Sequence, residues 1–523
     1  MTRSGGFMNR ITAAEAARLI EDGDTLAVSG FLLATTPSAI LRAIGERFLE
    51  EGAPRNMTLL QAAGTGNNGD EGIMEISHPG MVKRYMTGHF ARNRRLEAQA
   101  LDHSIEAYNF PQGVLSKMYR ALSAGQKGVL TTIGLHTFCD PRRGGGKLTD
   151  ITTEDLVELT EVAGEEYLFY KAPSLDVAII RGTTADEKGN ITMEEESNMI
   201  DAREIAMAAK ACGGKVIVQV KYLADSKSLD RNDVVIPGIL VDYVVLCDDP
   251  EKTHRQTVAN YYDPAIAGHV KVSAEPESQF PLNERKIIAR RAAMEIHPGD
   301  VVNLGYGVPE VVGIVANEEG MGEEITLTLE CGILGGIPLG GANFGSALNA
   351  DANLPMNQMF DFYNGGGLDC AFLGFAEVNP MGDINVSHFG GRFAGCGGFI
   401  DISQPTNRVF FVGTLTAGGL KESVQDGKLV IEQEGSQKKF IPSIGQTTFN
   451  AAYGLKNGQD ITFITDRCVM KPTEKGLMIT EIAPGIDLQR DILDQMGFTP
   501  LVSEHMIEMD PRIFKDEVMN LRA

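Results

Sequence analysis

Two stretches of this 523-residue chain repeat one another without a gap. Leu175-Asp176-Val177-Ala178-Ile179-Ile180, followed by Gly189-Asn190-Ile191, returns 193 positions later (368 − 175) as Leu368-Asp369-Cys370-Ala371-Phe372-Leu373, followed by Gly382-Asp383-Ile384. The same offset carries Lys215-Val216-Ile217-Val218 onto Arg408-Val409-Phe410-Phe411. An earlier pair agrees in kind: Ala16-Ala17 with Asp22-Gly23-Asp24 and Gly30 resembles Ala292-Ala293 with Pro298-Gly299-Asp300 and Gly305. Here the offset is 276 (299 − 23), so the first copy carries 83 extra residues (276 − 193) between the two matches. A chain repeated in this way folds as two related units, the first holding an insertion.

Each copy opens on a helical pattern: Ile11, Ala14, Ala17 and Ile20 in the first, Ile287, Ile288, Ala292 and Met294 in the second. A Gly-Asp turn and a short buried run follow, Thr25-Leu26-Ala27-Val28-Ser29 and Val301-Val302-Asn303-Leu304. Short β-rich apolar runs alternating with helical patterns predict an α/β fold of two open, mostly parallel sheets covered by helices. The chain is too long for one core. The expected division is a first domain over 1–272 with the insertion, a linker over 273–283 and a second domain over 284–523. The linker rests on the polar run Ser273 to Gln279 and on Pro281. Near the end, Asp487 opens a helical pattern that stops at Gly497 and Pro500 and is expected to lie against the second sheet.

The formal charge of −23 argues against nucleic acid as a partner, and an anionic ligand would need a local basic pocket or backbone amides. The seven cysteines are scattered, odd in number and free of C-x-x-C pairs, as expected of free thiols in a reducing compartment without a zinc site. Met1 to Phe7 lacks the apolar core of a signal peptide, and no run approaches the ~18 apolar residues of a membrane span. The expectation is a cytoplasmic protein with neither a membrane nor a metal.

Glu330 stands where the apolar run Ile325 to Leu329 gives way to Cys331-Gly332-Ile333-Leu334-Gly335-Gly336-Ile337-Pro338. A carboxylate at the C-terminal tip of a strand is well placed to meet a ligand in the crevice of an open sheet. On pattern alone, a solvated strand-end charge is the more ordinary reading. Asn303-Leu304-Gly305-Tyr306-Gly307-Val308-Pro309 is a Gly-rich turn that leaves a strand, but Pro309 interrupts a dinucleotide fingerprint. Gly395-Cys396-Gly397-Gly398-Phe399 could aim backbone N–H groups at an oxyanion, or simply turn the chain. Cys396 lacks the His and Asx partners of a thiol nucleophile. Pro111-Gln112-Gly113 and Gly134-Leu135-His136-Thr137-Phe138 read as loops.

Taken in order, these five elements resemble family I coenzyme A transferases, in particular the single-chain, propionate CoA-transferase-like branch. Glu330-Cys331-Gly332 resembles the family's E-x-G motif, Asn303 to Pro309 its N-L-G-x-G-x-P turn and Gly395 to Phe399 its second glycine loop. Some relatives carry Asn after the glutamate; Cys331 stands there in this chain. The resemblance implies an active site between two related domains, in which Glu330 is a nucleophile that carries CoA as a glutamyl thioester. It implies further that the backbone at Gly397 and Gly398 stabilises the oxyanion built on Glu330, and that Asn303 and Gln112 are donors on the substrate side. Arg392, Lys421, Lys438 and Lys439 flank these motifs as candidates for the CoA phosphates, although a solvated charged face explains them as well. Coenzyme A would be a substrate rather than a resident cofactor, with short-chain carboxylic acids as its partners in exchange. The family suggests a homo-oligomer, dimer or tetramer. An acyl-CoA thioesterase that uses the same intermediate, or a non-catalytic sensor on the same fold, are the rival readings.

Overall fold

The computed structural model describes residues 8–67, 69–273 and 280–522. The start of the chain and most of the expected linker (274–279) lie outside the described residues. Two compact units emerge, and neither is continuous in sequence. The first gathers Met1–Val272, Leu329–Asp361 and Arg392–Asp401; the second gathers Ser273–Thr328, Phe362–Gly391 and Ile402–Ala523. The expected second domain, 284–523, is therefore not one compact body. Glu330 and the Gly395–Gly398 loop belong to the first unit.

The first unit is built on strands β1 (Asn9–Ile11), β2 (Thr25–Val28), β3 (Met57–Gln61), β4 (Val82–Thr87), β5 (Glu106–Asn109), β9 (Val177–Arg181), β10 (Lys215–Val220) and β11 (Tyr243–Leu246), in the order β1-β11-β10-β9-β2-β3-β4-β5. Every pairing is parallel. All five residues of β9 are buried, as in a sheet covered on both faces. Ile40, Leu41 and Ile44 of helix α1 (Ser38–Glu51) share a core with Leu26, Leu59, Ile179 and Ile217. Helices α2 (Gln112–Ser123) and α3 (Ala202–Ala211) pack against one another, and α3 also rests on β9. Within the insertion, β6 (Gly128–Thr131), β7 (Val157–Val162) and β8 (Glu165–Lys171) form a separate antiparallel sheet.

The second unit has β12 (Val301–Leu304), β13 (Thr326–Leu329), β14 (Cys370–Gly374), β15 (Arg408–Val412) and β16 (Asp460–Ile464), paired in parallel in the order β13-β12-β14-β15-β16. Three further strands, β17 (Cys468–Thr473), β18 (Gly476–Ile482) and β19 (Leu501–Glu508), extend that sheet. Ile287, Ile288 and Ala292 of helix α4 (Glu284–Ala293) and Val311, Val312 and Val315 of α5 (Val308–Glu318) bury against Val302, Phe372, Phe410 and Ile464.

The repeat holds at the level of strand register. Val177 faces Lys215 in the first unit and Cys370 faces Arg408 in the second, each residue shifted by 193. Leu26 faces Val177 as Val302 faces Cys370. A carboxylate repeats as well: the Thr25 N–H donates to Asp176 Oδ2 at 2.9 Å, and the Val301 N–H to Asp369 Oδ2 at 2.8 Å.

Two local expectations are corrected. Ile11 belongs to β1, and the first helix runs only from Ala13 to Ala17, closed by a capping box between Thr12 and Glu15. The chain after Asp487 does not form a regular helix. It makes a π turn, Leu488–Ile492, and a 3-10 turn, Leu493–Gln495, because Asp487 caps a short segment in which Asp491, Ile492 and Met496 are buried before β19 begins. The shared register makes the carboxylate contacts equivalent. Asp176→Ala and Asp369→Ala are each expected to cost about 1 kcal/mol, measured as matching shifts of the urea midpoint.

Candidate active site

Glu330 follows the last residue of β13, and a glycine sets the backbone beyond it. Gly332 has φ +116°, and a Cβ there would overlap the Leu354 carbonyl oxygen. The Leu354 N–H in turn donates to the Gly332 carbonyl at 2.8 Å. The close approach of two backbones thus accounts for the glycine two positions after the glutamate. Burial raises the Glu330 carboxyl above the ordinary glutamate range, and a hydrogen bond to its own backbone N–H opposes the shift. Cys331 is fully buried and its thiol donates to the Gly345 carbonyl at 3.3 Å. Burial and the neighbouring Glu330 charge push that thiol far up, so it stays protonated and inert.

From Leu354 the chain reaches Met356, whose N–H donates to the Ile200 carbonyl at 3.0 Å. The Met356 sulfur lies 3.2 Å from Nε2 of Gln112. A thioether is a weak acceptor, so this buried amide keeps most of its donor capacity. Gln112 is the first residue of α2, where backbone N–H groups lack helical partners. Two pieces of the glycine-loop segment satisfy them. The Gln112 N–H donates to the Gly397 carbonyl at 2.9 Å, and the Gly113 N–H to Asp401 Oδ2 at 2.9 Å.

Asn109, at the tip of β5, binds the same loop from the other side. Its Nδ2 donates to the Thr87 and Gly88 carbonyls at 2.8 and 2.9 Å, and its Oδ1 accepts from the Cys396 N–H at 2.9 Å. The Gly397 N–H donates to the Gly88 carbonyl at 2.7 Å. Gly395, at φ +86°, lies so close to Gly88 and His89 that a Cβ would fall 2.6 Å from the Gly88 oxygen. The first unit therefore connects Glu330, Gln112 and the Gly395–Gly398 loop through hydrogen bonds and close contacts.

Several residues expected here do other work. The Gly397 amide is engaged with Gly88, which leaves Gly398, just before the helical turn Phe399–Ser403, as the backbone donor of the pair. Asn303 is buried at the end of β12 in the second unit. Its Nδ2 donates to the Thr328 carbonyl at 3.3 Å and to the Tyr363 hydroxyl at 3.2 Å, so the donor expected for a substrate is already committed. Flipping the amide would set Oδ1 against the Thr328 carbonyl, so Nδ2 stays on that side, while Oδ1 is buried with no hydrogen-bond partner among the described residues.

The cations also divide. Arg392 forms a two-pronged pair with buried Glu97, at 3.0 and 2.7 Å. Lys438 donates to the Asp494 and Met496 carbonyls at 2.7 and 3.1 Å. The Lys439 ammonium sits 3.9 Å from the centre of the Phe375 ring, and burial pushes it down to about 8. Lys421 is exposed at the start of the strand Lys421–Gln425. Among the described residues no cluster of His, Cys, Asp or Glu could hold a metal ion, and no helix is long and apolar enough to cross a membrane.

Sequence reasoning passed over Asn109, Asp401 and His89. The position of Asn109 at a strand tip before Pro111-Gln112-Gly113 was a usable signal; Asp401 and His89 carry none that spacing reveals. Asp201, just before α3, was missed as well. It accepts from the Ser116 hydroxyl of α2 at 2.5 Å, and burial, aided by Glu204, pushes its carboxyl up to about 8.

Comparison with known proteins places the chain in a family. The coenzyme A transferase family profile matches residues 10–246. Caffeate CoA-transferase of Acetobacterium woodii is 46% identical over 516 residues, 97% of each chain. The chain belongs to the coenzyme A transferase family. Acetate CoA-transferase YdiF of Escherichia coli K12 is 42% identical over 521 residues, 99% of this chain and 97% of its own. The crystal structure of the acyl-CoA transferase YdiF from E. coli O157:H7, described as a thioester complex with CoA, superposes with a TM-score of 0.93 at 41% identity, covering 99% of this chain and 98% of its own. This coenzyme A transferase is an enzyme that moves CoA between acyl groups, on two related α/β units.

The Asp201 carboxyl, raised when folded, holds its proton more tightly in the native state than in the unfolded one. Its contribution to stability is fully present below about pH 4 and is lost as pH rises toward 8. Asp201→Asn is expected to flatten that alkaline loss, measured as melting temperature across pH 5 to 9.

Proposed function

We propose that this enzyme transfers CoA reversibly from a short-chain acyl-CoA, such as acetyl- or propionyl-CoA, to a short-chain carboxylate such as acetate or propionate. The observation that carries this reading is the desolvated Glu330 carboxyl, within one unit that also holds the Gln112 amide and the glycine loop. A carboxylate is a weak nucleophile in water, and burial strips the solvation that weakens it. The family likeness to YdiF, whose structure is described as a CoA thioester complex, supports the same assignment.

In the first step the Glu330 carboxylate attacks the thioester carbonyl, the C–S bond breaks, and an acyl-glutamyl anhydride and CoA thiolate result. The thiolate then attacks the glutamyl carbonyl, releasing the donor acid as its carboxylate and leaving CoA on Glu330 as a thioester. An incoming carboxylate reverses both steps, which gives ping-pong kinetics. Each attack creates an oxyanion. The Gly398 N–H serves the one built on Glu330 and Gln112 Nε2 the one built on the substrate; a single such donor contributes about 3–4 kcal/mol in the transition state. The exposed Lys421 is the cation proposed for the CoA phosphates, whereas Arg392, Lys438 and Lys439 hold the fold together.

Incubation with acetyl-CoA and no acceptor is expected to add one CoA, less one water, to the protein mass. The adduct should map to Glu330 and be absent in Glu330→Ala. Release of CoA without acceptor at a rate rivalling transfer would instead make the enzyme a thioesterase. The nucleophile must be ionised while burial holds its proton on, so activity is lost as pH falls through the raised value. The acid limb of kcat/KM should therefore lie above the ~4.3 of a free glutamate.

A further inference from the structure

Asn303 was the second donor expected on the substrate side, and its N–H groups are committed within the second unit. An acyl carbonyl that becomes an oxyanion next to Gln112 needs a replacement for it. The space above Gly397 indicates one. Gly397 has φ +51°, and apart from its own loop neighbours the position its Cβ would occupy has two heavy atoms within 4 Å: His89 Cδ2 at 3.5 Å and Gln112 Oε1 at 3.9 Å. In an imidazole Nε2 is bonded to Cδ2, so the ring edge that bears Nε2 borders this space. A substrate oxygen that enters this space meets the His89 ring edge, and Gln112 presents its amide oxygen there; turning that amide over, which the weak Met356 contact permits, sets Nε2 beside His89.

Two further observations bear on His89. Its Nδ1 is buried and has no hydrogen-bond partner among the described residues, an unusual cost for a polar atom inside a folded protein. Its backbone is held on both sides: the His89 N–H donates to Thr87 Oγ1 at 3.2 Å, and Gly395 packs against its Cα. The backbone that carries the ring is thus set in place before any ligand arrives. Burial and the nearby Arg92 push the imidazole down to about 4, so at neutral pH it is uncharged and can donate one N–H without giving up a proton.

We infer that His89 is a catalytic residue of this site, its neutral Nε2–H donating with Gln112 to the acyl oxygen of the carboxylate or thioester under attack. The role rests on the transferase reading above. No bond to His89 forms or breaks; the hydrogen bond shortens as charge gathers on the oxygen and relaxes as the carbonyl returns.

The test uses the full-length protein with acetyl-CoA as donor and propionate as acceptor. His89→Gln places an amide N–H near the Nε2 position, His89→Asn places one near Nδ1, and His89→Met fills the volume without a donor. Removing the donor is expected to lower kcat by roughly 10²–10³-fold in the Met variant, with KM for acetyl-CoA little changed. The Gln variant should recover most of the loss and the Asn variant should not. All folded variants should keep the wild-type pH profile between 6 and 9. Equal activity of Gln and Met, or a wild-type limb near 6.5 that disappears in Gln, would overturn the assignment. Should the Met variant give no cooperative melting transition, the Gln–Asn contrast decides alone: equal rates overturn it. A wild-type protein that forms no CoA adduct on Glu330 defeats the transferase reading itself. An adduct that forms equally fast in wild type and His89→Met defeats only the role of His89.

Discussion

The side-chain amide of Asn109 holds the glycine loop in place. It donates to the carbonyls of Thr87 and Gly88 and accepts from the N–H of Cys396, and so ties the end of β5, the segment after β4 and the glycine loop into one buried network. The remaining contacts follow from it. The Gly88 carbonyl takes the Gly397 N–H, the Gly397 carbonyl takes the first N–H of α2, and Asp401 takes the second. Each is a backbone group that would otherwise be orphaned at a strand end or a helix start, so satisfying them and shaping the loop are one process. Asn109 matters because one amide offers a donor and an acceptor on opposite sides, and here both are used.

Glu330 presents the opposite situation. Its carboxyl is desolvated and its pKa raised, so the fold destabilises the ionised form that the proposed chemistry uses. A fold spends stability in this way at a functional site, and the neighbouring thiols do not share the role. Cys331 and Cys396 are buried and their thiols pushed far up, which leaves the carboxylate as the nucleophile proposed for the site. The donors proposed for the site are neutral: an amide, a backbone N–H and an uncharged imidazole. A nearby cation would lower the carboxyl pKa and weaken it as a nucleophile, whereas neutral dipoles can wait for the charge that develops in the transition state.

Residue pattern foresaw the parallel architecture well, because the repeat records it twice. The strands β9 and β14 begin and end at residues 193 apart, as the matched segments require. Short helices were harder to foresee. The Ile11–Ile20 pattern spans a strand, a single capped turn and a loop, because capping by Thr12 and Glu15 makes five residues enough. Polar side chains were hardest of all: Asn303 and Gln112 looked alike as strand-end and turn amides, yet one is spent on Thr328 and Tyr363 and the other is left facing a thioether.

The sequence by itself determined the duplication, the parallel sheets and the position of Glu330 at a strand tip, because hydrophobic period and repeat offset are local properties that survive in a one-dimensional string. Only the tertiary structure decided which donors are free, which cations are already paired and that Glu330 packs with the first unit although it lies in the second half of the chain. Those outcomes depend on contacts between residues such as Gly88 and Gly397, or Glu97 and Arg392, that lie about three hundred positions apart. Spacing along the chain carries no information about whether a given N–H has found its acceptor.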